Sequence, residues 1–284
     1  NNAVIIAALE CAREQERSAE LVRGVNLFVP FLYLRGLYPP AEYLLEYAYA
    51  AATRTGDAQG TIYTLLHLGN IAQKHGHYTQ ADAYYQEGLT LARTLEDQVL
   101  TSRLLTGLGG VAKERGDYVQ AETYYQEGLS LARTLQNNEQ ISRLLTGMGT
   151  VAYEQGNYIQ AESYYQEGLS LAQQLKNQEQ ISTQLKNMGV LARKRGDYTQ
   201  AESYYQAGLT LARQIGHRDL TSILLMNLGG VAKERGNYIW AEACYQESLL
   251  LAQQMGHRER ISVLFSNLGV IADAKGDYAS AEDY

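Results

Sequence analysis

The feature that most constrains this chain is a stretch of sequence that returns every 40 residues. Residues 101–140 and 141–180 are identical at 28 of 40 positions. The same frame fits, without a gap, the residues 61–100, 181–220, 221–260 and the shorter 261–284. Self-similarity at a fixed period of about 20 to 50 residues is typical of arrays in which each repeat buries its apolar side against its neighbours. The chain is therefore predicted to be a stack of equivalent units.

Each repeat contains two stretches with helical spacing of apolar residues. The first helix is predicted over residues 102–115, with a buried stripe of Leu104, Leu105, Leu108, Val111 and Ala112. Gly116 ends it, because glycine readily takes the left-handed conformation of helix ends. Asp117 then caps a second helix, which begins at about Val119. Gly109 and Gly128 fall inside the helices and indicate close approach of two backbones, with a large aromatic side chain filling the space.

The N-terminal part departs from the repeat. Residues 1–20 read as a helix or connector, residues 21–60 as a diverged first repeat, and residues 61–284 as the regular array. Pro39 and Pro40 fall where a second helix should start, which proline tolerates. Pro30 falls inside a first helix and is expected to kink it. This end is interpreted either as a docking face for another domain or as a cap of the array.

Composition excludes several classes of function. The net charge is −7 and the pI about 5.3, which argues against nucleic acid as a partner. No apolar run is long enough to cross a membrane, so no membrane role is expected. The 2 cysteines, Cys11 and Cys244, lie far apart, which excludes a disulfide framework and favours a reducing, cytoplasmic setting.

Catalytic chemistry is not indicated either. The 5 histidines show no pairing at metal-binding spacing, and no phosphate-binding glycine loop occurs. Glu122 and Glu127, with their copies, are interpreted as solvated faces rather than acid and base pairs. We therefore predict no enzyme activity, no cofactor and no metal site in this chain.

The repeat resembles the tetratricopeptide repeat. The residues that carry the resemblance are Leu108, Gly109, Ala112, Gly116, Tyr118, Ala121, Tyr125, Leu129, Leu131 and Ala132. It implies an all-α fold, a right-handed α-solenoid of about six and a half helix-turn-helix units plus an N-terminal helix. The unit is longer than the standard one and lacks the usual helix-ending proline. This long form also resembles the C-terminal sensor arrays of bacterial signalling ATPases of the STAND or NB-ARC type.

The resemblance implies that the first helices line a concave groove. In the repeat 101–140 the corresponding positions, called groove positions below, are Arg103, Thr106, Gly107, Gly110, Lys113 and Glu114. The predicted ligand-binding residues are Asn70, Lys74, Arg103, Lys113, Arg143, Tyr153, Lys186, Asn187, Arg193, Lys194, Asn227, Lys233 and Asn267. Gly107 and Gly147 are expected to widen the groove for bulky ligand side chains.

Two patterns favour a peptide in this groove. The groove positions of the six regular units hold 8 Lys or Arg against 4 Asp or Glu, which favours an acidic segment. Asn187, Asn227 and Asn267 recur at one position and could hold an extended backbone through their amides. The alternatives are a solvated helix surface of chance composition and exposed amides left by duplication.

The leading hypothesis is a non-enzymatic module that binds a protein or peptide segment, as the ligand-sensing part of a larger bacterial signal-transduction protein. The alternative is a structural scaffold that self-associates through the ends of the solenoid.

Overall fold

The structure is a computed structural model that describes residues 2–15, 17–278 and 281. Within these ranges there are 14 helices and no strand: α1 (Asn2–Glu14), α2 (Ser18–Leu34), α3 (Tyr38–Thr55), α4 (Ala58–Lys74), α5 (Tyr78–Thr94), α6 (Gln98–Glu114), α7 (Tyr118–Thr134), α8 (Asn138–Glu154), α9 (Tyr158–Gln174), α10 (Gln178–Lys194), α11 (Tyr198–Gln214), α12 (Arg218–Glu234), α13 (Tyr238–Met255) and α14 (Arg258–Ala274). The predicted all-α class with tandem helix-turn-helix repeats is confirmed. None of the helices in the described part combines the length and the apolar character that a bilayer crossing needs.

The turn inside each hairpin forms as its sequence predicts. Gly116 follows α6 with a left-handed φ of 78°. The Asp117 side chain accepts a hydrogen bond from the backbone N–H of Gln120 at 3.0 Å. This bond satisfies one of the amides that a helix start leaves without a partner. The next helix, α7, begins at Tyr118, next to the predicted start.

A second capped turn, which the repeat pattern alone does not reveal, joins consecutive hairpins. Asp97 accepts a hydrogen bond from the backbone N–H of Leu100 at 2.9 Å. Helix α6 therefore begins at Gln98, earlier than the predicted start at residue 102. The left-handed position of this turn is glycine in some hairpins but not in others. The non-glycine residues there are Glu96 (φ 55°), Gln136 (φ 53°) and Lys176 (φ 53°).

The N-terminal helices accommodate their prolines in two ways, at the start of α3 and inside α2. Pro39 and Pro40 occupy the first turn of α3, as expected from the sequence. Helix α2 continues through Pro30 and buries Val25, Val29 and other apolar residues of its inner face. Together with α1 and α3, this helix forms the first apolar core of the chain.

The chain divides into two compact units, each of which is described by itself. One contains residues 1–33 and 37–155, and the other contains residues 34–36 and 156–284. In both, the even-numbered first helices of neighbouring hairpins approach one another closely: α4 with α6, α6 with α8, and α10 with α12. The odd-numbered second helices of the described part approach one another less closely. The repeat boundaries at residues 20 and 60 stay a prediction.

Tyrosine rings packed on glycines join one hairpin to the next. A Cβ atom at Gly109 would lie 2.5 Å from Cε1 of Tyr125, and one at Gly147 would lie 2.5 Å from its Cζ. The Tyr125 ring therefore lies between the first helix of its own hairpin and that of the following hairpin. Ser102 donates a hydrogen bond to the backbone carbonyl of Gly128 at 2.9 Å, which brings α6 and α7 together. The predicted aromatic filling is confirmed at Gly109, whereas a Cβ atom at Gly128 would meet Leu144 at 3.0 Å and the carbonyl oxygen of Ser102 at 3.4 Å.

Candidate functional site

The groove positions lie on the first helices, where Arg103 has the most distinctive environment in the first unit. Its guanidinium carbon lies 5.5 Å from the ring centroid of Tyr63, a distance at which a cation and an aromatic face attract. The side chain is half-buried, and this burial lowers the pKa of Arg103 below its ordinary value. No carboxylate among the described residues lies within ion-pair distance of this guanidinium.

Arg143 occupies the equivalent position in the next hairpin, but it differs from Arg103 in its exposure and in its ion pairing. It is exposed, and its guanidinium pairs with the carboxylate of Glu139 at 3.0 Å, one helical turn earlier. The residue one turn before Arg103 is Val99, which offers no charge. Because Val99 stands where the next repeat has Glu139, Arg103 lacks the ion-pair partner that Arg143 has.

The other predicted residues of the first unit have mixed environments. Asn70 accepts a hydrogen bond from the hydroxyl of Tyr85 at 2.8 Å, so it is partly committed to packing between α4 and α5. Lys113 pairs with Glu114 at 2.6 Å, which neutralises it. Lys74 is exposed and Tyr153 half-buried.

A two-point ion pair joins α10 and α12 in the second unit. Arg193 binds the carboxylate of Glu234 through Nε at 3.1 Å and through a terminal nitrogen at 2.5 Å. The hydrogen bond to Glu234 raises the pKa of Arg193. This two-point geometry fixes the guanidinium over Gly230, where a Cβ atom would lie 3.2 Å away. Its neighbour Lys194 is exposed, and Lys186 is half-buried.

The three recurring asparagines do not share one environment. Asn187 is only 8% exposed, and its Nδ2 atom has no hydrogen-bond partner among the described residues. Asn227 is half-buried. Asn267 accepts a hydrogen bond from Lys233 at 3.1 Å and donates one to the carbonyl of Val263 at 3.0 Å. A ligand backbone would therefore meet a different amide in each hairpin.

The expectation that Gly107 and Gly147 widen the groove is wrong. A Cβ atom at Gly107 would lie 2.6 Å from the ring of Tyr85, and one at Gly147 would lie 2.5 Å from the ring of Tyr125. These tyrosines come from the second helices of the preceding hairpins. The space beside both glycines is therefore filled by the protein itself, and it is not open to a ligand.

His67 is a groove-position residue whose environment only the structure reveals. It is 5% exposed, and the Tyr33 ring centroid lies 5.8 Å from its own in an edge-on arrangement. Burial, with a smaller contribution from the charge of Arg103, lowers the pKa of His67 to about 4. The imidazole is therefore neutral at physiological pH and contributes no charge to the surface.

Ion pairs also join the second helices to neighbouring hairpins, where the sequence indicates solvated charges. Arg93 pairs with Glu127 at 2.6 Å, and Arg213 pairs with Glu247 at 2.6 Å. Glu202, a copy of Glu122, pairs with Arg235 at 2.5 Å. Such pairs contribute about 0 to 1 kcal/mol each. These glutamates are thus surface residues that pair with arginines of neighbouring hairpins and contribute little to stability.

Family models of tetratricopeptide repeats match the chain. The model described as the MalT-like TPR region matches residues 31–188, which is more than half of the chain. A tetratricopeptide repeat model matches residues 179–239 and 220–284. None of the curated proteins matches the chain in sequence.

Solved structures share the fold at low sequence identity. BtubC (BKLC) from P. vanneervenii is 22% identical with a TM-score of 0.57, covering 75% of this chain and 88% of that one. A STAND protein with a tetratricopeptide repeat sensor from Pyrococcus horikoshii is 16% identical with a TM-score of 0.70, covering 100% of this chain and 43% of that one. A Rap protein complexed with Competence and Sporulation Factor is 13% identical with a TM-score of 0.66, covering 93% of this chain and 95% of that one.

Proposed function

Because the chain belongs to the MalT-like TPR region family, a group of protein-interaction repeats, we propose that it binds an acidic peptide segment along its first helices. The ligand lies across the groove positions of α4, α6 and α8. It offers a carboxylate to Arg103 and apolar side chains to the half-buried surface around it.

The observation that carries this proposal is the environment of Arg103. The half-buried guanidinium of Arg103 stacks on Tyr63, and its interactions with Glu139 and Asp97 are electrostatic ones outside ion-pair distance, so its N–H donors can still bind a planar acceptor. A ligand carboxylate would form two parallel hydrogen bonds there, and such charge-assisted bonds are about twice as strong as neutral ones. The site is already oriented by the ring, so little side-chain entropy is lost on binding.

The solved neighbours support the proposal by analogy of fold. One is a STAND protein whose repeats are described as a sensor, and another is a Rap protein in complex with Competence and Sporulation Factor. By the same analogy we assign to this chain the sensing of a peptide or protein signal within a larger signalling protein.

The proposal is tested with a fluorescently labelled peptide of alternating glutamate and leucine, whose binding is followed by anisotropy. Arg103→Gln is expected to weaken binding about tenfold, since a charge-assisted hydrogen bond contributes about 1.5 to 3 kcal/mol. Arg143→Gln is the matched control and should weaken it less than about threefold, because Arg143 is exposed and already paired.

A second variant keeps the charge of Arg103 but occupies its guanidinium, so that a ligand cannot bind it. Val99→Glu supplies the carboxylate that Glu139 supplies to Arg143, so the arginine remains but is occupied. It should weaken peptide binding by a factor similar to that of Arg103→Gln. Equal affinities of the wild type, Arg103→Gln and Val99→Glu would contradict the proposed site.

The second candidate function is self-association. It is favoured by apolar residues that second helices expose, since Ile159 in α9 is 82% and Ile239 in α13 is 79% exposed. Pairing of these residues with another copy would bury them. Light scattering over a concentration series tests it, and a constant monomer mass would exclude it.

A further inference from the structure

An open groove lies on the second helices of the second unit, away from the groove positions. It has a volume of about 650 Å³ and lies between α11 and α13, with α12 beneath. Its floor is apolar and contains Leu209, Leu225, Leu228 and Cys244. Its rim carries polar side chains, among them Gln206. A pocket of this size and lining is typical of a ligand site.

The groove exists because this hairpin lacks a tyrosine that the hairpins before it carry. The position of Cys244 is occupied in earlier repeats by Tyr84, Tyr124, Tyr164 and Tyr204. In the first unit the half-buried Tyr124 packs against the cluster that contains Leu89, Leu105 and Leu108. The copies of those leucines in the second unit are the three that form the floor of the groove.

The hydrogen-bond partner of the tyrosine has changed as well. The hydroxyls of Tyr84 and Tyr164 accept hydrogen bonds from the glutamines four residues earlier, at 3.0 and 2.9 Å. Trp240 stands at the equivalent glutamine position and lines the groove. Both the ring and its local donor are therefore replaced in this one hairpin, and an indole forms one wall of the space.

A donor for an incoming hydroxyl is still present. In the first unit Gln86 donates a hydrogen bond across to the hydroxyl of Tyr124 at 3.2 Å. Its copy Gln206 lines the groove and donates instead to Glu202, within its own helix, at 3.1 Å. A phenol placed over the leucine floor would allow Gln206 to turn and make the bond that Gln86 makes.

The rim favours a peptide as the carrier of that ring. Arg213 and Glu247 pair at 2.6 Å beside the groove, and their side chains are 51% and 47% exposed. The guanidinium offers donors and the carboxylate an acceptor to the backbone amides of a peptide. The pair is also charge-complementary to a segment that carries both an acidic and a basic side chain. The volume also exceeds what one phenol ring fills, which leaves room for flanking residues.

We propose that this groove binds a tyrosine side chain presented by a peptide segment of a partner protein. The ring occupies the space that Cys244 leaves, its hydroxyl accepts from Gln206, and its backbone lies against the Arg213–Glu247 pair. The site lies on second helices, whereas Arg103 is on a first helix, and it does not depend on the proposed function.

Trp240, the only tryptophan of the chain, reports binding directly through its fluorescence. Titration with N-acetyl-tyrosinamide is expected to give a saturable change in the wild type and in Cys244→Ala, which keeps the space open. Cys244→Tyr restores the residue of the other hairpins and fills the space, so its fluorescence should not respond. Circular dichroism and thermal unfolding of each variant show that the fold is retained.

Two further ligands test the parts of the assignment. N-acetyl-phenylalaninamide lacks the hydroxyl and should bind at least about threefold more weakly, by one lost hydrogen bond. Para-cresol lacks the backbone and should also bind more weakly than N-acetyl-tyrosinamide. A non-saturable wild-type titration, or an equal response of Cys244→Tyr, would overturn the site. Tighter binding of para-cresol would overturn the peptide as its carrier.

Discussion

The hairpins α6–α7 and α12–α13 are copies of one repeat, and they agree in the interior of the protein. A Cβ atom at Gly109 would lie 2.5 Å from the Tyr125 ring, and one at Gly229 would lie 2.6 Å from the Tyr245 ring. In both hairpins a buried serine of the first helix donates to a carbonyl of the second helix. These contacts position the helices and tolerate little change.

The two hairpins differ on both surfaces. The groove position of Arg103 is taken by Ile223 in α12, and the position of Tyr124 is taken by Cys244 in α13. Neither exchange alters the packing of tyrosine on glycine. Interior residues therefore maintain the stack, while surface residues of the first and second helices can change without disturbing it.

The largest expected effect comes from breaking the shared interior. Gly109→Leu places a side chain where the Tyr125 ring lies, so the ring or the helix must move. We expect a loss of more than about 3 kcal/mol of unfolding free energy, at the upper end of overpacking in a core. Denaturant unfolding followed by circular dichroism measures it.

The neighbouring glycine provides the matched control. A Cβ atom at Gly110 would meet only the amide end of the Gln73 side chain, at 2.6 Å, and that flexible end can move away. Gly110→Ala should therefore be neutral or stabilise by up to about 1 kcal/mol, since alanine is the better helix former. Gly109→Ala should destabilise. Equal effects of the two alanines would contradict the packing of Tyr125.

The next effect concerns His67, which stands where α6 has Gly107. Its pKa is lowered to about 4 by burial, whereas the unfolded chain binds the proton near pH 6.5. The contribution of the neutral His67 to stability is therefore fully present above pH 6.5 and decreases as the pH falls toward 4. At pH 4 the loss of unfolding free energy reaches about 3 kcal/mol, at 1.36 kcal/mol per pKa unit. Unfolding free energies measured between pH 7 and 4 test this.

His67→Gln should remove this part of the pH dependence, whatever its effect on absolute stability. His77 is exposed, so His77→Gln serves as the control and should keep the wild-type slope. If both variants lose stability on acidification as the wild type does, His67 is not the group responsible for the pH dependence.

The smallest effect concerns the turns between hairpins. Gln136 has a left-handed φ of 53°, while Gly216 occupies the same turn position two repeats later with a φ of 67°. A side chain in this conformation costs about 1 kcal/mol. Gln136→Gly should therefore stabilise the protein by up to about 1 kcal/mol, measured as a rise in the unfolding midpoint. A lower midpoint would contradict this explanation of the turn.

Much of the fold could be predicted from the sequence because the same local signals recur in each repeat. Helical spacing around Leu104, the glycine at position 116 and the cap at Asp117 are local signals, and all three are confirmed. The contacts between hairpins are not local. The ring that fills the space beside Gly107 comes from Tyr85, and no spacing rule identifies it.

The candidate site could be predicted only in part, because the contacts of its side chains with other repeats are not local. The groove positions follow from the repeat, but the state of each cation depends on its neighbours. Val99 in place of a glutamate distinguishes Arg103 from Arg143, and this difference is visible in the sequence once the ion pair of Arg143 is known. The groove above Cys244 required the structure, because it depends on what Tyr124 contacts in another repeat.

The most direct test of the account is photo-crosslinking of the acidic peptide with a benzophenone group, followed by mass spectrometry. The account predicts crosslinks on the first helices α4, α6 and α8, in peptides that include Tyr63 and Thr106, and their loss in Arg103→Gln. Crosslinks confined to the second helices α5 and α7 would contradict the central claim that the inner layer of first helices holds the ligand.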